Sequence, residues 1–155
     1  MIIVESYIDK IWGKNYLTKQ EMKKIIKVCL KNTNHHEKNI FLNVSFVNSE
    51  QIKKYNLQFR GKNSITNVLS FENDDKFSIK NTIKLGEIVL CYEKIVQEAI
   101  EFNKTFRERL YHLFVHGILH LLGYDHINEE DRKKMEKLEE DILKHFRVFN
   151  AYDLL

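Results

Sequence analysis

The sequence predicts an α+β fold: one domain, with a small mixed sheet of about four strands packed with about five helices. Three observations lead there. Two capping boxes, T-K-Q-E at Thr18–Glu21 and T-F-R-E at Thr105–Glu108, each open a stretch with apolar residues at helical spacing. Runs rich in strand formers stand between the helical stretches rather than in one block. No repeat, low-complexity segment or Gly/Ser-rich linker divides the 155 residues, so a single domain over 1–155 is expected.

In chain order, residues 1–7 (MIIVESY) read as a short strand. The helix opened by Thr18 carries Met22, Ile25, Ile26, Cys29 and Leu30 on one face. HHEKN, 35–39, is a polar loop whose His35–His36 pair reads as solvated. IFLNVSFV, 40–47, is a strand, and Asn48 with Gln51 caps a short helix through about Leu57. The segment FRGKNSIT reads as a loop, VLSF (68–71) as a strand, NDDKFSIKN (73–81) as a polar turn and LGEIVLCYE (85–93) as a further strand. The last two strands suit an antiparallel hairpin. A helix from Glu93 to Phe102 is expected to bury Ile95, Val96, Ala99 and Ile100. The helix after Thr105 runs to about Leu122, where Gly123 suits a C-terminal stop. A last helix follows Asn128, with Met135, Leu138, Ile142 and Phe146 on its apolar stripe.

Composition excludes several classes. Hydrophobic residues are 43% of the chain, too many for a disordered protein, and no run of about 18 apolar residues suggests a membrane span. The start, MIIVESYIDK, lacks a basic segment and a small-residue cleavage site, so it does not read as a signal peptide. Cys29 and Cys91 sit among apolar neighbours and read as small core residues, which with the rest places the protein in the reducing cytoplasm. The net charge of +3 is compatible with an RNA partner without indicating one. Proline is absent, and Lys, Asn and Ile are frequent, as AT-rich codon usage would give; that discounts the lysines as a nucleic-acid signal.

The chemistry concentrates in HGILHLLGYDH, 116–126. His116 and His120 are one helical turn apart and share a face. Gly123 ends the helix and lets His126 return a third nitrogen to the same point. Zinc takes histidine nitrogens at about 2.0–2.1 Å and prefers four ligands, so three histidines leave one position open, the catalytic pattern. The expected metal centre is therefore one zinc ion on His116, His120 and His126, at the C-terminal end of a core helix. His112 lies a further turn back; three residues along two turns of straight helix converge poorly, so it reads as packing or supporting. His145 reads as unrelated. The spacing H-x-x-x-H-x-x-G-x-x-H is that of the metzincin proteases, but their general base follows the first histidine, and Gly117 occupies that place here. Glycine cannot take a proton. In a helix it also costs about 1 kcal/mol, so it hints at close approach of another backbone or a substrate.

The histidine block resembles the signature of the YbeY family, bacterial single-strand-specific metallo-endoribonucleases of rRNA maturation. LQFRGKNSITNVLSF is similar to that family's LN-x-x-YRGKD-x-PTDVLSF, LGEIVLCYE to its LGDI strand, and RERLYHLFVHG to the segment leading into the histidines. The match runs in order over about 40–145. The departures are Ile65 for Pro, Asn67 for Asp, Glu72 where Pro is common, and Glu87 for Asp. Asn67 removes a carboxylate beside the substrate-side loop; a loop-orienting role by hydrogen bonds is one that Asn can partly imitate. The resemblance implies zinc on His116, His120 and His126 and a catalytic contribution from Arg60 in the cleft. It also implies zinc-dependent cleavage of single-stranded RNA during late 3′-end maturation of small-subunit (16S) rRNA and in ribosome quality control. The implied partners are rRNA, the small ribosomal subunit and its assembly factors, with no membrane and no DNA. Arg60 offers a planar fork suited to phosphate oxygens. Lys62 reads equally as a solvated loop residue, and Asp125 as a residue that orients an imidazole.

Overall fold

The structure, a computed structural model, describes residues 1–36 and 39–152. Its elements are β1 (Ile2–Ile8), a 3-10 turn (Lys10–Trp12), α1 (Lys19–Asn32), β2 (Asn39–Val47), α2 (Ser49–Arg60), β3 (Val68–Glu72), β4 (Thr82–Cys91), α3 (Tyr92–Glu101), α4 (Phe106–Leu121) and α5 (Glu129–Lys144). The strands form one mixed sheet in the order β1-β2-β4-β3. β1 pairs parallel with β2 and β2 parallel with β4, so a helix crosses between each pair, as parallel neighbours require. β3 pairs antiparallel with β4, the expected hairpin, and forms one edge of the sheet.

Both predicted capping boxes are present with reciprocal bonds. The Thr18 hydroxyl accepts from the Glu21 amide and the Thr105 hydroxyl from that of Glu108, while each glutamate takes the amide of its threonine. Asn48 and Gln51 close a third box on α2.

One face of the sheet carries the large core. Met22, Ile25, Ile26 and Cys29 of α1 and Met135, Ile142 and Leu143 of α5 pack there around α4. α4 is buried on most of its circumference, through Leu110, Phe114, Val115, Ile118, Leu119 and Leu121. Such a helix shows little amphipathic contrast because it is surrounded. The other face holds a small cluster in which Ile52 of α2 meets Val47, Leu69, Val89 and Cys91. Both cysteines are buried and free, as expected. No helix among the described residues is long and apolar enough to cross a membrane.

Three expectations differ from the structure, and one element was not expected. α2 continues to Arg60, three residues past Leu57, because Gly61 adopts φ 68° and donates to the Leu57 carbonyl to end it there. β4 spans Thr82–Cys91 rather than 85–93, starting directly after the polar connection at 73–81. Ile100, expected inside, is 77% exposed, and Glu98 is buried instead because Arg109 of α4 pairs with it. The turn holding Trp12 carried no signal that the sequence reading used. Its indole is fully buried against Phe46, Tyr92 and Phe106 and donates to the Val47 carbonyl at 2.9 Å. Of the loop read at 35–39, Glu37 and Lys38 lie outside the described residues, and Asn39 already belongs to β2.

Candidate metal centre

α4 crosses the sheet against β3 and β4 and brings His116 and His120 to the open end of its last two turns. Gly117 is what lets it lie so close. A Cβ there would come within 3.1 Å of Ile88 Cδ1 on β4 and 3.2 Å of Ser70 Oγ on β3. The close approach expected at this glycine is thus made by side chains of the sheet rather than by another backbone. At Gly123, φ is 102° and the chain reverses; its amide donates to the His120 carbonyl and that of Tyr124 to Leu119, the paired bonds of a Schellman stop. Lys76 reaches over from the β3–β4 connection to donate to the Leu121 carbonyl at 2.6 Å, satisfying another terminal acceptor. The turn returns His126, in the connection to α5, toward the other two histidines.

The three imidazoles converge. Their ligating nitrogens lie within 4.8 Å of one another, and among the described residues no fourth His, Cys, Asp or Glu joins them. His116 Nε2 and His120 Nε2 are 3.0 Å apart, near the edge of about 3.3 Å that bonds of 2.0–2.1 Å give in a tetrahedron. Two nitrogens so close share a proton or a cation. Burial, and then the neighbouring His116 and His126, push the His120 pKa down, which favours the neutral, ligating form. The ring of His126 sits farther out, with centroids 5.6 and 5.2 Å from those of His116 and His120, and its side chain is half exposed.

Behind His116 stands a residue that the sequence reading missed. Glu139 of α5 is fully buried, and its Oε1 accepts from His116 Nδ1 at 2.8 Å. That bond fixes the proton on Nδ1 and leaves the Nε2 lone pair facing the centre. The same Oε1 is 3.3 Å from His112 Nε2, and the Tyr152 hydroxyl donates to Oε2. His112 Nδ1 lies 3.2 Å from Arg109 Nη1; since arginine only donates, Nε2 carries the His112 proton. His112 therefore supports the carboxylate and does not face the other histidines. Burial alone would raise the Glu139 carboxyl, but the hydrogen bonds from His112 and His116 prevail and hold it at about 2. Burial, then the Glu139 charge, push the Tyr152 phenol well up, so it stays a donor. A signal for Glu139 existed: it lies on the same helical stripe as Met135 and Ile142, where a lone acid needs a buried partner.

The histidines sit in a cleft of about 480 Å³ whose walls include Arg60, Asn67, Ser70, Glu72, Tyr124 and Asp125. Arg60, the last residue of α2, is exposed and reaches this cleft only through the fold, since α2 packs on the far face of the sheet. Lys62 is exposed and is not among the lining residues. Asp125 accepts the His126 amide at 2.7 Å and lies 3.7 Å from its Nδ1, so the imidazole it adjoins is the outermost one. Glu87 takes the Ser45 hydroxyl within the sheet, away from the cleft. Asn67 does hold its loop by hydrogen bonds. Its Oδ1 accepts the Val68 amide at 2.6 Å, and its Nδ2 donates to the Glu98 carboxylate at 3.1 and 3.2 Å. Arg109 takes Glu98 from the other side at 2.8 Å. An aspartate at 67 could not make the second contact, and two carboxylates would face each other.

The donor set suits a metal ion: three imidazole nitrogens, one of them buttressed by a buried carboxylate, at the end of a cleft with an arginine in its wall. The family model described as endoribonuclease YbeY matches residues 7–147. Endoribonuclease YbeY of Buchnera aphidicola is 40% identical over 140 residues, covering 90% of this chain and 83% of its own. That of Finegoldia magna is 37% identical, covering 83% of each chain. The solution structure of TM1509 from Thermotoga maritima superposes with a TM-score of 0.61 at 28% identity, over 97% of this chain and 96% of the other. On the family match and these identities, the chain belongs to the endoribonuclease YbeY family.

Proposed function

We propose that this chain, as one domain spanning 1–155, is a zinc-dependent endoribonuclease specific for single-stranded RNA. Its place is late 3′-end maturation of small-subunit (16S) rRNA and ribosome quality control. It acts in the cytoplasm, in contact with the small ribosomal subunit and its assembly factors. Family membership supports the coarser part, a nuclease with an RNA substrate. The observation that carries the finer reading is the convergence of His116, His120 and His126 in a cleft that Arg60 also lines.

One Zn2+ held by these histidines would supply a Lewis acid to a phosphoryl oxygen and bring the pKa of water toward about 7. The chain supplies the rest. Glu139 locks the His116 ring so that its Nε2 faces the cleft. Arg60 sets a charged fork on the phosphate and favours the charge that grows in the transition state. With glycine at 117, the carboxylate that metzincin proteases use as base is missing, which argues against peptide hydrolysis. A single strand can bend a phosphate into the cleft, whereas an A-form duplex holds its backbone too stiffly.

The test is incubation of the zinc-loaded chain with labelled single-stranded RNA, duplex RNA and casein, beside His116→Ala. Cleavage of the single strand alone, abolished by chelation and in the variant, is expected. Casein hydrolysis at a comparable rate, lost on chelation, refutes the reading.

A further inference from the structure

Around the edge of β3 from the histidines, three aromatic rings gather on the other face of the sheet. Tyr55 and Phe59 lie one turn apart on α2 with centroids 6.1 Å apart and planes inclined by 28°. Phe71 of β3 stands 6.2 Å from Tyr55 and 5.0 Å from Phe59. Tyr55 and Phe71 roof the small apolar cluster around Ile52 and Leu69. Phe59 does not share that role, because it is 57% exposed. A ring that only covered the core would be buried by the contact.

Two further observations give this ring a partner. The first is continuity with the cleft. Arg60 follows Phe59 directly, and Ser70 and Glu72, which flank Phe71, line the cleft with the three histidines. Arg60 and Phe59 are thus neighbours at the end of α2, so a strand that leaves the cleft past Arg60 meets the ring next. The second is charge. Arg60 and Lys62 are both exposed at this end of α2, and neither is in an ion pair with another described residue. Basic side chains beside an exposed aromatic ring make a surface suited to unpaired bases on a phosphate backbone.

We propose that Phe59, backed by Phe71 and Tyr55, is a stacking platform for an unpaired nucleobase of the RNA strand whose phosphate rests against Arg60. The inference rests on the endoribonuclease reading above and adds a physical source for strand preference. In a duplex the bases are paired and stacked on one another, so no base face is free to cover the ring.

The experiment measures binding by the full chain, with chelator present to suspend cleavage, to a labelled single-stranded RNA decamer and to inorganic polyphosphate. Phe59→Ala should weaken decamer binding roughly tenfold to a hundredfold and leave polyphosphate binding unchanged. Phe59→Trp should retain decamer affinity, and the decamer but not polyphosphate should quench its added emission; Trp12 is fully buried and contributes a constant background. Decamer binding by Phe59→Ala within twofold of the parent overturns the platform and leaves the endoribonuclease reading intact. A parent chain that binds neither probe overturns that reading instead.

Discussion

Replacing Glu139 with glutamine keeps the shape of the side chain behind His116 and removes its charge. The choice of glutamine follows from the contacts. Alanine would strand the His112 and His116 donors, each worth about 1–3 kcal/mol when buried without a partner, and would leave a cavity as well. That sum approaches the whole stability of a small domain, so the alanine variant would report on folding. In glutamine, the amide oxygen can replace Oε1 opposite His116 and His112, and the Tyr152 hydroxyl can turn to accept from the amide nitrogen. What is lost is the negative charge that makes His116 Nε2 a stronger donor to a cation. Such supporting groups are worth about 10–100-fold in metal affinity, or about 1.4–2.8 kcal/mol. Zinc affinity is measured by competition with a chromophoric chelator, beside melting of the metal-free protein. The expected result is that weakening in a chain that still folds. A folded glutamine variant that holds zinc within twofold of the parent refutes the role given to Glu139.

Four further outcomes follow from the same contacts. Metal analysis should find about one zinc per parent chain and none in His116→Ala, His120→Ala or His126→Ala, while His112→Ala keeps most of it; an empty site in His112→Ala beside a filled one in His126→Ala reverses the ligand assignment. Arg60→Ala should keep zinc and its melting temperature, because Arg60 is exposed and unpaired among the described residues, yet lose about a hundredfold in single-turnover RNA cleavage, with little rescue by lysine; near-parental cleavage removes Arg60 from the chemistry. Gly117→Glu should melt lower than the parent and gain no casein hydrolysis, since even its Cβ meets Ile88 and Ser70 at 3.1 and 3.2 Å; an unchanged melting temperature contradicts the packing argument. Burial pushes the thiols of Cys29 and Cys91 up, so a disulfide reagent at pH 8 should titrate neither in the native chain and both after unfolding; rapid native labelling refutes their burial.

What could be read in the sequence was what depends on neighbours in the chain. Thr18 with Glu21, Thr105 with Glu108 and Gly123 are local signals; the first two pairs open a helix by their hydrogen bonds, and Gly123 closes one. The meeting of His116, His120 and His126 was legible for the same reason, since one helix turn and one reversal bring them together. Contacts between distant elements were not. Glu98 and Glu139 do not stand out in the sequence, because Arg109, His112 and His116 become their partners only once α3, α4 and α5 pack. Periodicity alone places Ile100 inside, whereas the packed helix turns that position outward. The parallel pairing of β1 and β4 with β2 left no mark that a strand pattern carries.

The two halves of the cleft have different histories along the chain. His116, His120, His126, Glu139 and Tyr152 come from one contiguous stretch, α4 to the end of the described residues, and assemble through helix packing of low contact order. Arg60, Asn67, Ser70 and Glu72 come from α2, β3 and the loop between them, and they meet the histidines only through the pairing of β3 with β4 and the packing of the sheet on α4. Substitutions in the early segment can therefore reshape what the cleft admits without touching the imidazoles. A substitution on β3 that misplaces Ser70 or Glu72 should leave a chain that takes up metal and turns over little, a separation that no single-piece site would allow.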